Sequence, residues 1–502
     1  MRPLQVLLVV LLLAGCAAQP PPPPRESPAQ QLEQAASLVT QGQYAQPDRI
    51  LRSLIESAAF RTLDSDHQHQ ALLLNARTAL QLRDRQRGLS LLKRACEMSE
   101  ADTVDWFERL MAANWAGEPR DAAAALVVLA TRWPQVLPSF ETPELRDRHE
   151  LESALRALQE SGSDADRYTV LSALFDAHFA EEPLQASVWW RDLSLLQLER
   201  GGDQAAAAAT LARVTDAYVV ISVEADKRFD PIRVEASTRL DVAKTAERAI
   251  AAWLRQAEES PSSLRPMVRL SSLLRSCLRY RQALQVDDSV IERQQAEGPQ
   301  VYRDYDRYYV WILNDRARAL WSLGRWDAAV IQMEAASRMP ELGETANVSQ
   351  ALNLAHLYAW LGRPAEALKT LERAGQASAY GEMVSQAARL DAAAQLNDTK
   401  TVGEALHFMS DHRLDRLSGY QQALLVVDRE DEGARLLISR LADPRLRSDA
   451  LLAVQQYGEE DLPPRRVLER NRWRVLIARR DVQEAIRQVG YVKKYPLEQR
   501  EY

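Results

Sequence analysis

Trp321-Ser-Leu-Gly-Arg-Trp-Asp-Ala-Ala329 and Trp360-Leu-Gly-Arg-Pro-Ala-Glu-Ala367 are written to one pattern, and the fold follows from reading outward from them. The first copy runs through Leu313, Ala317, Leu320, Gly324, Trp326, Ala329, Met333 and Ala336. The second runs through Ala351, Ala355, Tyr358, Gly362, Pro364, Ala367, Leu371 and Ala374, with identical offsets. Small residues (Ala317 with Ala329, Ala355 with Ala367) stand where two antiparallel helices must approach closely, larger apolar residues fill the layer around them, and Leu-Gly-Arg makes the turn. A repeated helix hairpin predicts a stack in which each pair buries its apolar face on the next.

This pattern resembles the tetratricopeptide repeat, with its Ala/Gly positions, its aromatic, its Leu-Gly turn and its spaced alanines. The resemblance implies an all-α fold, a right-handed α-solenoid of antiparallel helix hairpins. It also implies that the first helix of each pair lines a concave groove. The inward positions here are then Trp311, Asn314, Arg318, Trp321 and Ser322, followed by Ser349, Leu352, His356, Ala359 and Trp360. Of these, Trp311, Asn314, Arg318, Trp321, His356 and Trp360 form the candidate partner-binding groove. Three indoles beside Arg, Asn and His suit an extended peptide or a sugar chain, because aromatic faces supply contact area at little entropic cost and Arg can take a carboxylate in two hydrogen bonds. The family's clamp for terminal carboxylates uses Lys and Asn at such positions, and it is not reproduced. The competing reading is that the indoles pack between repeats.

At the start of the chain, Arg2 precedes an apolar run from Leu4 to Ala14 that is interrupted by Gln5 and ends in Leu13-Ala14-Gly15-Cys16. A membrane span needs about 20 apolar residues, so this run reads as a signal-peptide core. Leu-Ala-Gly-Cys resembles the bacterial lipobox, which implies cleavage before Cys16 and lipidation of its thiol, giving a membrane anchor without a spanning helix. Two or three acyl chains suffice for stable attachment at about 0.8 kcal/mol per buried methylene. Ala17 follows the cysteine in place of the Asp found in inner-membrane lipoproteins, which favours the periplasmic face of an outer membrane. Pro20 to Pro24 is unbroken and predicts a stiff polyproline spacer at about 3.1 Å per residue. The expected organisation is therefore a signal peptide (1–15), a lipidated cysteine and spacer (16–30), an N-terminal helical array (31–217), an irregular connection (218–232) and a C-terminal array (233–502).

Composition supports helices. Glycine, 18 of 502 residues, is about half its usual share of roughly 7%, while Ala, Leu, Gln and Arg abound. A formal charge of −7 argues against a nucleic-acid-binding body. Cys96 and Cys277 are separated by several repeats, so no disulfide is expected. Weaker hairpins are laid almost end to end, around Gly42-Gln-Tyr44, Leu82 to Gly88, Gly117 to Ala122, Thr401 to Phe408, Leu424 to Leu441 and Arg466 to Val489. The β-branched run Val219-Val-Ile-Ser-Val223 breaks the helical pattern and reads as a loop or a lone strand. Between Arg465 and Arg500 eleven Lys/Arg face four Asp/Glu, a local +7. That end is expected to be a polar capping repeat with a basic surface, including Arg470, Arg474, Lys493 and Lys494, for an anionic partner.

No zinc-helix motif, strained-nucleophile motif or phosphate loop is written in the sequence. Asp64-Ser-Asp66-His67-Gln-His69 holds ligand-capable residues without a second cluster to complete a shell, and reads as a solvated loop. No catalytic residue, metal or cofactor is expected. The reading favoured is a non-enzymatic, lipid-anchored periplasmic scaffold for a periplasmic or outer-membrane protein partner in an envelope assembly. The alternative is a helical accessory protein that binds or processes carbohydrate, with a glycan as ligand.

Overall fold

The computed structural model describes residues 27–140, 149–161, 163–178, 186–233, 240–340 and 347–499. The signal-peptide, Cys16 and most of the spacer expectations fall outside them. The described chain is helical, with two isolated β-bridges and no strand longer than one residue. It is an all-α array of helix hairpins. Among the described residues no helix is long and apolar enough to cross a membrane.

The best repeat pair shows how the hairpin forms. Helix Tyr305–Ser322 ends where Gly324 takes φ +71°, so that Arg325 N–H reaches back to the Leu320 carbonyl at 2.9 Å and Gly324 N–H to that of Trp321 at 3.0 Å. Helix Val348–Trp360 ends the same way, with Gly362 at φ +73° and Arg363 N–H on the Tyr358 carbonyl at 2.9 Å. These are left-handed helix stops that satisfy carbonyls the helix itself cannot. Pro364 then opens the next helix, where its missing N–H costs nothing. Ala317, Ala329, Ala355 and Ala367 have no exposed surface, as their close-approach role requires.

Of the weaker hairpins, those at Gly42 and Gly117 keep the glycine, and others use the same turn without it. Arg83 (φ +63°), Leu278 (φ +61°), Asn397 (φ +58°) and Asp428 (φ +58°) each hold the left-handed position. The same long hydrogen bond follows each one, Asp84 N–H to Ala79, Arg279 to Leu274, Asp398 to Ala393 and Arg429 to Leu424. The packing of the helix pair imposes a conformation that costs L-residues about 1 kcal/mol or more.

Two compact units are formed, divided between Val170 and Leu171. The first pairs Pro28–Thr40 with Ala45–Glu56, Ser65–Gln81 with Arg85–Cys96, and Thr103–Trp115 with Pro119–Arg132. The second carries the best repeats. One of its clusters of buried apolar residues runs from Trp253 through Leu313, Ala317 and Met333 to Ala367.

The irregular connection expected over 218–232 is not found. Residues Ala217–Ala225 form a helix, capped by the Asp216 carboxylate, which accepts from Tyr218 N–H (2.7 Å) and Val219 N–H (3.3 Å). Every residue in it but Glu224 is buried. Being apolar all round, it shows no helical periodicity, and burial overrides the strand preference of Val219 to Val223. It packs against helix Arg447–Ala453, over two hundred positions later. The second unit is thus not a stack in which only neighbours touch, because its early helices meet its late ones.

The chain end closes that contact, and it is not the polar cap expected. Gly490 lies against Ala225, where a Cβ would stand 2.4 Å from the Ala225 carbonyl oxygen. Tyr491 N–H then donates to that carbonyl (2.9 Å), Gln456 N–H to Lys493 (3.0 Å), Tyr495 N–H to Gln456 (2.8 Å), Gly458 N–H to Leu497 (2.9 Å), and Glu498 N–H to Ser276 (2.8 Å). Tyr495 and Leu497 are buried between these partners.

Arg83 is exposed and Gly324 sits in an equivalent turn, so substitutions there should act in opposite directions. Arg83→Gly is expected to stabilise the chain by about 1 kcal/mol, and Gly324→Ala to destabilise it by about the same amount, in urea unfolding followed by circular dichroism.

Candidate functional site

Arg318 and Trp321 on helix Tyr305–Ser322, with His356 and Trp360 on helix Val348–Trp360, line one cavity of about 300 Å³ in the second unit. Trp321 is only 7% exposed and its ring centre lies 5.7 Å from that of Trp360. His356 stands 5.3 Å from the Trp360 ring and places Nε2 3.1 Å from the Val384 carbonyl oxygen. The other two predicted groove residues are elsewhere. Trp311 is 39% exposed and outside the cavity, on the same helix face as Arg318 two turns earlier. Asn314 is buried, donating to Asp315 (3.2 Å) and accepting from Asn353 Nδ2 (3.0 Å), so it links successive helix pairs and offers nothing to a ligand.

The rest of the wall comes from much later in the chain. Helix Pro464–Ala478 contributes Arg466, Arg470 and Trp473, helices Leu417–Val426 and Glu430–Ala442 contribute Gln421 and Arg440, and Arg416 and Glu498 complete it. The groove is therefore partly filled by helix Pro464–Ala478 of the same chain. Arg466 lays its guanidinium 4.3 Å above the Trp360 ring, on the face a sugar would use.

The basic end does not form one free surface. Arg470 turns into the cavity, 3.9 Å from Glu460, and Arg466 pairs with Glu469 at 2.5 Å. Arg465 pairs with the buried Asp391 at 2.8 Å. Arg472 donates to the Leu425 and Val426 carbonyls (2.7 and 3.1 Å) and pairs with Asp428, so it stops a helix C-terminus where a cation is favoured. Lys493 is exposed but bonded to Glu224 at 2.9 Å, while Arg474 and Lys494 are exposed. A net charge counted along the sequence cannot show that most of it is spent internally.

Below the cavity lies a buried polar web. The Glu498 carboxylate pairs with Arg275 at 2.5 Å, both largely buried, and the Glu498 carbonyl accepts from the Tyr218 hydroxyl at 2.6 Å. Asp315, fully enclosed, has its pKa raised by burial against the opposing effect of Arg275. Asp287 accepts from Ser271 at 2.9 Å, and burial, then the Asp315 carboxylate, push it well above the usual carboxylate range.

Sequence reasoning missed Arg416, Arg440 and Glu498. Arginines in degenerate helices carry no periodic signal, but the alternation Tyr495, Leu497 after Gly490 marked an end that packs. In the first unit, the His-rich stretch opens helix Ser65–Gln81 and is not a loop. Asp64 caps it through His67 N–H (2.8 Å), and His69 Nε2 lies 3.0 Å from buried Asp105. Among the described residues no His, Cys, Asp or Glu cluster is arranged to hold a metal ion. Cys96 and Cys277 are free thiols, pushed up by burial to about 12 and about 11.

No family model matches the chain, and no curated protein does. Among solved structures it is similar to yeast Tom70, at 10% identity, 92% of this chain, 99% of that chain and TM-score 0.31. It is also similar to the Cut9–Hcn1 hetero-tetramer of the APC/C, at 11% identity, 92% and 89% coverage and TM-score 0.30. The Naa15/Naa10 complex bound to HypK-THB gives 11% identity, 82% and 62% coverage and TM-score 0.27. At such values these likenesses assign no activity to this chain.

Two substitutions separate the roles of the buried acids. Glu498→Ala strands the Arg275 charge and should cost about 3–5 kcal/mol in urea unfolding. Asp287→Asn should do the reverse. Its folded pKa is raised, so above the unfolded value of about 3.9 the native state keeps a proton that the unfolded chain releases, and the resulting cost is absent below that value and grows as pH rises toward the raised one. The variant should melt roughly 1–3 °C higher at neutral pH and show no gain near pH 4, measured by scanning calorimetry.

Proposed function

We propose that this chain is a non-enzymatic adaptor, anchored by lipid at Cys16 to the periplasmic face of an outer membrane, and that the inner face of its second unit holds a protein partner there. The observation that carries this reading is the pairing of Trp311 and Arg318, both exposed, two turns apart on the first helix of the best repeat. Arg318 makes no hydrogen bond or ion pair among the described residues, and an unengaged Trp and Arg on one helix face are the residue types that dominate binding energy in protein interfaces. The glycan alternative draws less support, since Trp321 is buried and the Trp360 face is covered by Arg466. Attachment rests on Leu13-Ala14-Gly15-Cys16, and the proline run would lift the helical body from the lipid.

The test is crosslinked capture from native membranes with the lipidated full chain beside Trp311→Ala/Arg318→Ala. Both side chains are exposed, so the variant should melt within about 1 °C of the parent. A defined protein should be retained by the parent and its affinity reduced at least tenfold in the variant. Cys16→Ser should move the chain from the membrane to the soluble fraction. Equal capture by both proteins would rule out the groove, and membrane retention of Cys16→Ser would rule out the anchor.

A further inference from the structure

The cavity is charged out of balance. Five arginines line it (Arg318, Arg416, Arg440, Arg466, Arg470) against three glutamates (Glu460, Glu469, Glu498). Arg466 and Arg470 are matched by Glu469 and Glu460, and Glu498 is already taken by Arg275. Arg318, Arg416 and Arg440 have no ion-pair partner in direct contact among the described residues, with Asp315 acting on Arg318 and Asp449 on Arg440 only at longer range.

Arg440 is the deepest of these, 3% exposed, and spends one N–H on the Gln421 side-chain oxygen. That oxygen is aimed by the other end of the same amide, since Gln421 Nε2 donates to the Gly433 carbonyl at 3.0 Å. A guanidinium has five N–H donors and stays charged in proteins, and burying one without a counter-ion is expensive. Burial indeed lowers its pKa from the ordinary arginine value. Arg416 is half-buried. Its Nε is buried with no acceptor, its guanidinium lies 5.7 Å from the Tyr380 ring centre, and its side chain runs over Gly419, where a Cβ would stand 2.6 Å from Nη1. Two helices and a loop thus bring three arginines without a close counter-ion to one partly open cavity of ligand size.

We propose that this cavity is a binding site for a small doubly charged oxyanion, a phosphate monoester or a dicarboxylate, held by Arg318, Arg416 and Arg440. The ligand's two charges answer the three wall arginines left by the Arg466–Glu469 and Arg470–Glu460 pairs, and Gln421, Gln422, Ser418 and Asn353 offer neutral hydrogen-bonding groups to the remainder of the molecule. The site goes beyond the adaptor reading and does not depend on it. The two readings share Arg318, but partner capture also requires Trp311, which is outside the cavity, whereas anion binding requires Arg416 and Arg440, which the Trp311/Arg318 capture variant leaves in place.

Isothermal titration calorimetry on the full chain tests it, with glucose 6-phosphate and succinate as probes and with glucose and chloride at matched ionic strength as controls. One or both dianions should bind saturably at one per chain, and the two arms decide between phosphate and carboxylate. Affinity should fall at least tenfold in Arg416→Gln and in Arg440→Gln and stay unchanged in Arg474→Gln, which is exposed outside the cavity. Arg416 has no ion pair to lose, so its variant carries the test if Arg440→Gln folds poorly. Dianion heats no larger than those of chloride, or equal affinity in Arg416→Gln, would overturn the proposal.

Discussion

A helix hairpin with alanine on its inner faces cannot bury its apolar surface alone, and the rest of this structure answers that constraint. Ala317 against Ala329 and Ala355 against Ala367 let backbones approach closely, which leaves little side-chain area within a pair and makes each pair depend on what covers it. In the middle of the second unit the cover is the next pair. Elsewhere in that unit, segments distant in sequence supply the cover. Helix Ala217–Ala225, apolar on every side, meets helix Arg447–Ala453, and the segment from Gly490 to Glu498 seals the line between them.

That contact narrows the inner face to a partly open site. A freely open superhelix would present Trp321 and Trp360 to solvent as a broad aromatic groove. Here helix Pro464–Ala478 enters it, Arg466 covers an indole, and what remains is a cavity whose distinguishing chemistry is guanidinium. The Arg275–Glu498 pair ties the end of the chain beneath this cavity. In a low-dielectric interior such a pair adds less to stability than its Coulomb attraction suggests, because both ions were desolvated to make it. Its use is positional, since it places the chain end in one arrangement that only the paired state satisfies.

The same economy explains the basic C-terminal region. Long side chains from Arg465 to Arg479 reach carbonyls and carboxylates of helices that precede them by dozens of residues, among them Asp391, Leu425, Asp428 and Asp431. Their charge organises the fold, and the exposed remainder includes Arg474 and Lys494.

The sequence by itself determined the helix pair and its repetition. Spacing of Ala, Leu and Gly is a local property, set by 3.6 residues per turn and by the one backbone conformation that ends a helix with its carbonyls satisfied. The degenerate turns at Arg83, Leu278, Asn397 and Asp428 were harder to place, because packing holds residues there that the turn alone would not select. Groove positions on two adjacent helices were legible as far as Arg318, Trp321, His356 and Trp360, whose register follows from that repeat. Only the tertiary structure decided that Asn314 is buried, that Val219 to Val223 are helical, and that Arg416, Arg440 and Glu498 share one cavity with them. Those outcomes depend on contacts between segments one to two hundred residues apart, and side-chain spacing along a helix holds no information about which distant surface will cover it.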